Sequence, residues 1–402
     1  MEIVIVGMGY VGIPVAALFA DVDGFNVTGV QRRSKRSGWK IDHLNNGKNP
    51  IEGEEPGLAD LIKRVVEKGA FRATDDTSVY GEADAILIAV QTPVDENQLP
   101  RYESLRQVSH EIGSQLKKGT LVILESTVAP GTSENVVKPI LEEQSGMKAG
   151  VDFNLIFSYE RVMLGRLIHN LTKLDRIIGG ITPECTRRGI ELYSHIVDAK
   201  LHATDSLTAE VSKVTENTYR DVNIAFANEI AIICESLGVD VHEVRRHVNS
   251  LPHIPGDPGK NPLRTMHIPG AGVGGHCLPK DPWLLKYGLD TYGNFSFDPR
   301  LIIESRRINN SMPSHMVELI KEALSKKGIN IEDAKVTLLG VAFLPNSDDT
   351  RNTPTYSLYN LLKVLCAEVI AHDPYVKEYE NLEISNDLEA TINGSDAIVL
   401  VT

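Results

Sequence analysis

The residues best equipped for covalent chemistry lie in one stretch, Gly272-Val273-Gly274-Gly275-His276-Cys277-Leu278-Pro279-Lys280-Asp281-Pro282. Its glycines let backbone come close to a ligand, and a single cysteine follows them, with an aspartate four residues on. A lone cysteine is by default a small buried hydrophobe; one in a glycine-rich loop, with cationic neighbours that favour thiolate, is a better nucleophile candidate. Lys213 and Asn217 stand at i and i+4 in a helical stretch and project from one face. An ammonium and an amide presented together can stabilise an alkoxide or oxyanion, although the pair alone also suits an exposed helix face. Glu125-Ser126-Thr127, at the end of a strand-like run, and Glu160, after Phe157-Ser158-Tyr159, complete the polar inventory.

A second chemistry is anion binding. Gly7-Met8-Gly9-Tyr10-Val11-Gly12 follows the β-branched run Glu2–Val6 and precedes the helical stretch Ile13–Ala20. In that context the first glycine makes a tight turn, the second admits a pyrophosphate, and the third lets helix pack on strand. The acid that usually holds the adenosine ribose should fall near position 31, where this chain has Gln31, followed by Arg32, Arg33, Lys35, Arg36 and Lys40. An amide can still accept from a ribose hydroxyl, which suits NAD. The arginines could neutralise the 2′-phosphate of NADP, or form a solvated loop.

These groups need a scaffold. Val27–Val30, Asp84–Val90 and Thr120–Leu124 read as further strands separated by helical or polar segments, which implies a doubly wound parallel sheet with ligands at the carboxyl ends of its strands. From about Leu207 to Leu237 the chain reads as one long helix without Gly or Pro, closed by Gly238; Ala209, Val211, Val214, Ile224, Phe226, Ile230 and Ile233 supply its apolar positions. Leu251–Pro282, rich in Pro, Gly and His, reads as loop. Lys335–Gly340 echoes Glu2–Gly7, and Asp396–Thr402 echoes Asp84–Val90, so a second α/β unit is expected from near 332. It stops at the close of a strand, and a natural chain running past Thr402 is expected.

With 402 residues, 42% hydrophobic and 24% charged, the chain has ample length for two or three domains and is not a disordered protein. Lys and Arg number 41 against 54 Asp and Glu, a net charge of −13 that argues against general nucleic-acid or anionic-membrane binding. Cys185, Cys234, Cys277 and Cys366 are too scattered for a CxxC metal site and too sparse for a disulfide framework, so no metal is expected. The absence of a membrane-length apolar run and of a basic leader gives a cytoplasmic expectation.

In sum the chain resembles the UDP-glucose/GDP-mannose dehydrogenase family, the nucleotide-sugar 6-dehydrogenases, along essentially its whole length. The resemblance rests on GMGYVG at the start, VQTP at 90–93, LESTVAPGT at 124–132, ERV at 160–162 and DRIIGGITPE at 175–184. It continues with KVTENTYRDVNIAFANE at 213–229, GVGGHCLPKDPW at 272–283 and PNSDDTRNTP at 345–354. The resemblance implies two Rossmann-like doubly wound α/β domains joined by a long central helix and a helical middle domain. Their bounds would be 1–206 for NAD binding, 207–330 for dimerisation and catalysis, and 331–402 for UDP-sugar binding in a homodimer.

It also implies roles. Cys277 would be the nucleophile of a two-step, four-electron oxidation through a thiohemiacetal and a thioester. Lys213 and Asn217 would stabilise the oxyanion, Asp281 would assist proton transfer or activate water, and Thr127 and Glu160 would position water and cofactor. Gly7, Gly9, Tyr10, Val11, Gly12, Gln31, Arg32, Thr92, Pro93 and Thr127 would meet NAD. Glu160, Arg161, Val162, Lys213, Asn217, Gly274, Gly275 and Arg351 would meet the UDP-sugar. The ERV, DRIIGGITP and GGHC segments resemble the N-acetylhexosamine branch most. His276 beside Cys277, with Asp281-Pro282-Trp283, leans toward UDP-N-acetyl-D-mannosamine over the glucosamine, galactosamine or glucose sugars.

Three departures stand out. Leu164 occupies a place where glucose-type members carry a second Glu, and both Tyr159 and Leu164 stand where the N-acetyl branch often has Pro. Leu344 replaces a Lys expected near the diphosphate, which leaves Arg351 as the clearest nucleotide contact. Gln31 is the third. A one-step β-hydroxyacid dehydrogenase would share the Lys-x-x-x-Asn helix but need neither Cys277 nor a second α/β unit; a nucleotide-binding module would need only the glycines.

Overall fold

The structure, a computed structural model, describes residues 1–35, 37–51, 53, 55–250 and 265–402. It divides into two units, Met1–Thr215 with Trp283–Phe297, and Glu216–Pro282 with Asp298–Thr402.

The first unit is built on β1 (Glu2–Val6), whose alternate side chains serve two cores: Ile3 and Ile5 join one, Val4 and Val6 the other. Next come α1 (Gly12–Asp21), β2 (Asn26–Val30), α2 (Trp39–Asn45), α3 (Leu58–Glu67), β3 (Phe71–Thr74), β4 (Ala85–Ile88), α4 (Glu103–Gly113) and β5 (Leu121–Leu124). A wide helical turn, Ser133–Val137, leads into α5 (Lys138–Ser145). Then follow β6 (Asn154–Phe157), α6 (Leu167–Lys173), β7 (Arg176–Gly180), α7 (Pro183–Tyr193) and β8 (Leu201–Asp205).

The eight strands form one sheet in the order β3-β2-β1-β4-β5-β6-β7-β8. Its first six strands follow the order of doubly wound dinucleotide folds, with the ligand crevice where the order reverses, between β1 and β4. The sheet is parallel as expected except at one seam, where β6 and β7 pair antiparallel.

α8 (Ser206–Leu237) is the expected long helix, 32 residues and so about 48 Å. Asp205 caps its start by accepting from the Thr208 N–H at 2.8 Å. Gly238 ends it in the left-handed region at φ +69°, with the Val239 N–H reaching back to the Cys234 carbonyl at 2.9 Å. Its apolar positions divide: Ala209 and Val214 are buried, whereas Val211, Phe226 and Ile233 are exposed.

The second unit continues through α9 (Val241–Val248); the first residues of α10 (Asp281–Tyr292) belong to it and the remainder to the first unit. Of the stretch 251–282 read as loop, 265–280 form no helix or strand, 281–282 instead open α10, and 251–264 lie outside the described residues. α11 (Arg300–Ser325) leads to β9 (Lys335–Leu339), α12 (Pro354–Lys363), β10 (Glu368–His372), β11 (Ile384–Ser385), α13 (Leu388–Ile392) and β12 (Ala397–Leu400).

This second sheet, ordered β11-β10-β9-β12 and parallel throughout, repeats the order β3-β2-β1-β4. The repetition extends to detail. β1 is followed by Gly7 at φ +102° and β9 by Gly340 at φ +96°, and each glycine N–H donates at 2.9 Å to the last carbonyl of the next strand, Val30 or His372. Among the described residues no helix is long and apolar enough to cross a membrane.

Candidate active site

The glycines after β1 build a cradle. A Cβ on Gly12 would lie 2.0 Å from the Gly7 carbonyl oxygen, so α1 can start this close to β1 only without a side chain there. A Cβ on Gly9 would meet nothing within 4 Å, so the space beside this backbone is open. α1 has no side-chain cap and no acidic residue in its first turn, which suits an anion at its amides. The residues present therefore fit the pyrophosphate of a dinucleotide.

Gln31 braces this loop: its Oε1 accepts from the Met8 N–H at 3.1 Å, and its Nε2 donates to the Ser37 hydroxyl at 3.1 Å. Lys40 donates to the Met8 carbonyl at 3.2 Å, and burial holds its ammonium below the usual lysine range. Of the basic run, Arg33 pairs with Asp75 at 3.2 Å and Asp42 at 3.8 Å. Arg32 reaches Gln107 and Ser104 at 3.5 Å, and Arg36 lies outside the described residues. Tyr10 and Val11 are half-buried against the core. Beyond β4, Thr92 is buried and donates to the Thr127 carbonyl at 2.5 Å, while Pro93 is exposed and its carbonyl accepts from the Arg101 N–H at 2.8 Å.

The same unit holds Lys213, Glu160, Arg161 and Val162 together. Buried Lys213 donates to the Glu160 backbone carbonyl at 3.1 Å and lies 3.9 Å from its Oε1. The Glu160 carboxylate also accepts from the Val162 N–H, and the Arg161 guanidinium donates to the Asp175 carbonyl at 2.6 Å. Beneath them lies a buried pair that sequence reading left unassigned. Arg176 binds Glu125, stacks 3.9 Å over the Tyr193 ring, and donates to the Ser158 hydroxyl at 2.9 Å and carbonyl at 3.1 Å. Tyr193 donates to Glu125 at 2.8 Å, and burial pushes the Glu125 carboxyl up against the pull of Arg176. Arg176 thus supports the backbone from which Glu160 hangs. The sequence marked Glu125 but gave no partner for it, because Arg176 lies 51 residues away on β7.

In the second unit, Asn217, one turn beyond Lys213 on α8, donates to Asp281 Oδ2 at 2.5 Å, and Lys280 donates to Asp281 Oδ1 at 2.6 Å. Asp281 is fully buried with both oxygens engaged, at the start of α10. Cys277 is half-buried and outside any disulfide; its carbonyl accepts from the Asp281 N–H at 2.9 Å, which fixes the thiol's residue at that helix start. Burial, then Lys280 and Arg351, hold the His276 imidazole down at about 4, so it is neutral beside Cys277 at neutral pH.

The two expected segments of this unit meet. The Gly275 N–H donates to the Arg351 carbonyl at 2.8 Å, and the Asn352 amide donates to the Gly275 carbonyl at 3.0 Å. A Cβ on Gly274 would lie 2.5 Å from Phe343, so this glycine permits close packing of the loop. Arg351 pairs with Asp349, with Nε 2.8 Å from Oδ1.

An open glycine cradle at the reversal point of a doubly wound sheet is the arrangement of dinucleotide-binding folds. Three family models match in order: the NAD-binding domain of the UDP-glucose/GDP-mannose dehydrogenase family at residues 1–197, its central domain at 207–311 and its UDP-binding domain at 337–402.

UDP-N-acetyl-D-mannosamine dehydrogenase of Pyrococcus horikoshii is 36% identical over 402 residues, covering 100% of this chain and 89% of that protein. The enzyme of the same name from Escherichia coli K12 is 37% identical over 370 residues, covering 89% and 81%. The crystal structure of NDP-N-acetyl-D-galactosaminuronic acid dehydrogenase from Methanosarcina mazei Go1 is 44% identical with a TM-score of 0.88, covering 100% of this chain and 85% of that one. The chain belongs to the UDP-glucose/GDP-mannose dehydrogenase family. It is an NAD-dependent UDP-sugar dehydrogenase, and NAD is its cofactor.

Proposed function

We propose that the chain oxidises the C6 hydroxymethyl of UDP-N-acetyl-D-mannosamine to the uronate, through a covalent adduct on Cys277. The observation that carries the reading is the cysteine loop itself: a half-buried thiol outside any disulfide, fixed at the start of α10 beside Asp281, whose oxygens Asn217 and Lys280 hold. Relatives bearing the mannosamine name support the sugar, and the galactosaminuronic relative supports an N-acetylated hexose generally.

NAD, when bound, supplies the hydride acceptor for both oxidations. The chain's groups do the rest. Lys213 by charge and Asn217 by hydrogen bonding stabilise oxyanions on C6. Once C6 is an aldehyde, the Cys277 sulfur adds to it and the carbonyl oxygen takes a proton, giving a thiohemiacetal. After the second oxidation the adduct is a thioester; water attacks C6, the carbon–sulfur bond breaks, and the thiol and the uronate separate. Holding the carbon on sulfur keeps the aldehyde from escaping between steps. Asp281 serves proton transfer and water activation, and Thr127 with Glu160 positions the water.

In this reading residues 1–206 hold NAD, 207–330 carry catalysis and dimerisation, and 331–402 hold UDP, with Gly274, Gly275, Arg161, Val162 and Arg351 meeting the UDP-sugar. The exposed apolar residues Tyr219, Phe226, Ile233 and Leu237 on α8 support a homodimer. A nucleophilic thiol suits the reducing cytoplasm, where it stays unoxidised.

The test counts NADH per sugar across a panel of UDP-hexoses and UDP-N-acetylhexosamines. Two NADH per UDP-N-acetyl-D-mannosamine are expected, and Cys277→Ser should abolish uronate while leaving NAD binding intact. One NADH per sugar, or unchanged uronate from Cys277→Ser, would sink the thioester route, and preference for another sugar would overturn the substrate.

A further inference from the structure

Glu210 is a buried carboxylate that the reading above leaves without a task. It lies on α8, three residues before Lys213, and is 1% exposed. Its oxygens face the segment between β5 and the turn Ser133–Val137: Oε2 accepts from the Gly131 N–H at 2.6 Å and Oε1 from the Ser133 N–H at 2.8 Å. Thr127 lies in that segment. It is anchored elsewhere by Thr92 on the Thr127 carbonyl, and by the Tyr102 hydroxyl, which accepts from the Ala129 N–H at 2.8 Å. Ala129 also packs with Val214 of α8 and Leu284 of α10. Gly131 sits at φ +91°, and a Cβ there would lie 2.6 Å from the Tyr292 ring, so the segment has little room to move aside.

We propose that Glu210 is a positioning residue: its carboxylate ties the Thr127 segment to the helix that carries Lys213, and so fixes these two groups relative to each other. The proposal rests on the assignment of Thr127 and Lys213 to the reaction. Its chemistry is that of donors and acceptors. An ionised carboxylate can accept from both amides, whereas a protonated one sets an O–H donor against an N–H donor and loses one arm of the tie.

The titratable groups around it are Glu134 on the Ser133–Val137 turn, Tyr102 before α4, Tyr292 on α10 and Lys213 on its own helix. Burial, with a smaller push from Glu134, raises the Glu210 carboxyl to about 7 against the pull of the two amides. The tie therefore weakens as pH falls through neutrality. Glu210→Gln, whose amide also presents a donor, reproduces the protonated state at every pH.

The test uses the full chain as wild type, Glu210→Gln and Glu210→Asp. Amide hydrogen exchange across 128–137, corrected for its intrinsic pH dependence, is followed from mildly acidic to mildly alkaline pH, and kcat and KM for UDP-sugar oxidation are measured over the same range. Wild type should gain protection as pH rises through 7. Glu210→Gln should stay at the acidic level throughout, with kcat about tenfold lower at alkaline pH and KM nearly unchanged. Glu210→Asp should retain the inflection. Flat exchange in wild type, or an inflection that survives in Glu210→Gln, overturns the tie. Exchange that titrates while kcat does not overturns the positioning role. If Glu210→Gln fails to fold, wild type and Glu210→Asp decide by the presence or absence of their inflections. A protein that oxidises no UDP-sugar refutes the assigned reaction and not the tie, which exchange reads without turnover.

Discussion

Two alanine substitutions three residues apart should have opposite consequences. At Gly9 a methyl meets no protein atom within 4 Å, and the residue is not in the left-handed region. Gly9→Ala should fold normally, or gain up to about 1 kcal/mol because alanine restricts the unfolded chain. The methyl would nevertheless stand in the space through which a pyrophosphate approaches the loop amides. Losing one or two charge-assisted hydrogen bonds costs about 1.5–3 kcal/mol each, so NAD affinity should fall roughly 10- to 100-fold or more.

At Gly12 the methyl would lie 2.0 Å from the Gly7 carbonyl oxygen, well inside contact distance, and the atom it meets is backbone. Relief requires α1 to lift from β1, at about 1–3 kcal/mol or more, which for a unit of this size lowers Tm by several degrees. Thermal unfolding without cofactor, followed by titration calorimetry with NAD, separates the two effects. Gly9→Ala binding NAD within about threefold of wild type would refute the cradle as the pyrophosphate seat. Equal loss of Tm in both variants would show that the two glycines serve packing alike.

Two further outcomes follow from the second unit. The folded His276 titrates at about 4 against an ordinary 6.5, so the unfolded chain binds the extra proton between these values. Stability should therefore fall as pH drops from 6.5 toward 4, by on the order of 3 kcal/mol, and His276→Asn should flatten that slope in urea titrations; an unchanged slope refutes the buried neutral imidazole. On α8, Tyr219, Phe226 and Ile233 recur two turns apart and so share one face. Sedimentation should give a dimer for wild type and a monomer for Phe226→Glu with Ile233→Glu; a monomeric wild type at micromolar concentration removes the dimer.

What the sequence disclosed was whatever rests on local chemistry. β1 could be read because burial on both faces demands an unbroken β-branched run, and the glycine loop because Gly7 and Gly12 leave no room for a side chain. α8 could be read to within a residue or two, since it lacks Gly and Pro until Gly238 turns left-handed. The antiparallel seam at β6 and β7 was hidden, because side-chain alternation has no direction. Glu210 was hidden too. A lone acid near the start of a long helix looks like an ordinary solvated charge, and only tertiary packing supplies the Gly131 and Ser133 amides that employ it. The exposure of Phe226 and Ile233 was equally out of reach, since an apolar stripe does not say which surface will cover it.

The repeat shows what Gln31 does where an acid was expected. Gln31 and Asp373 are equivalent, each following the second strand of its sheet and each reaching back to the loop after the first. In the second sheet the Asp373 carboxylate accepts from the Val341 and Ala342 amides at 2.8 and 3.0 Å, and from Tyr375 and Val376 at 2.8 and 3.0 Å. Its own carboxylate thus occupies amides that an incoming anion would use. In the first sheet a neutral amide braces the Met8 N–H instead, and Gly9 keeps the adjoining space open. The same backbone device is braced by an acid in one copy and by a neutral amide in the other, so the side chain at position 31 holds the loop through the Met8 N–H without adding charge.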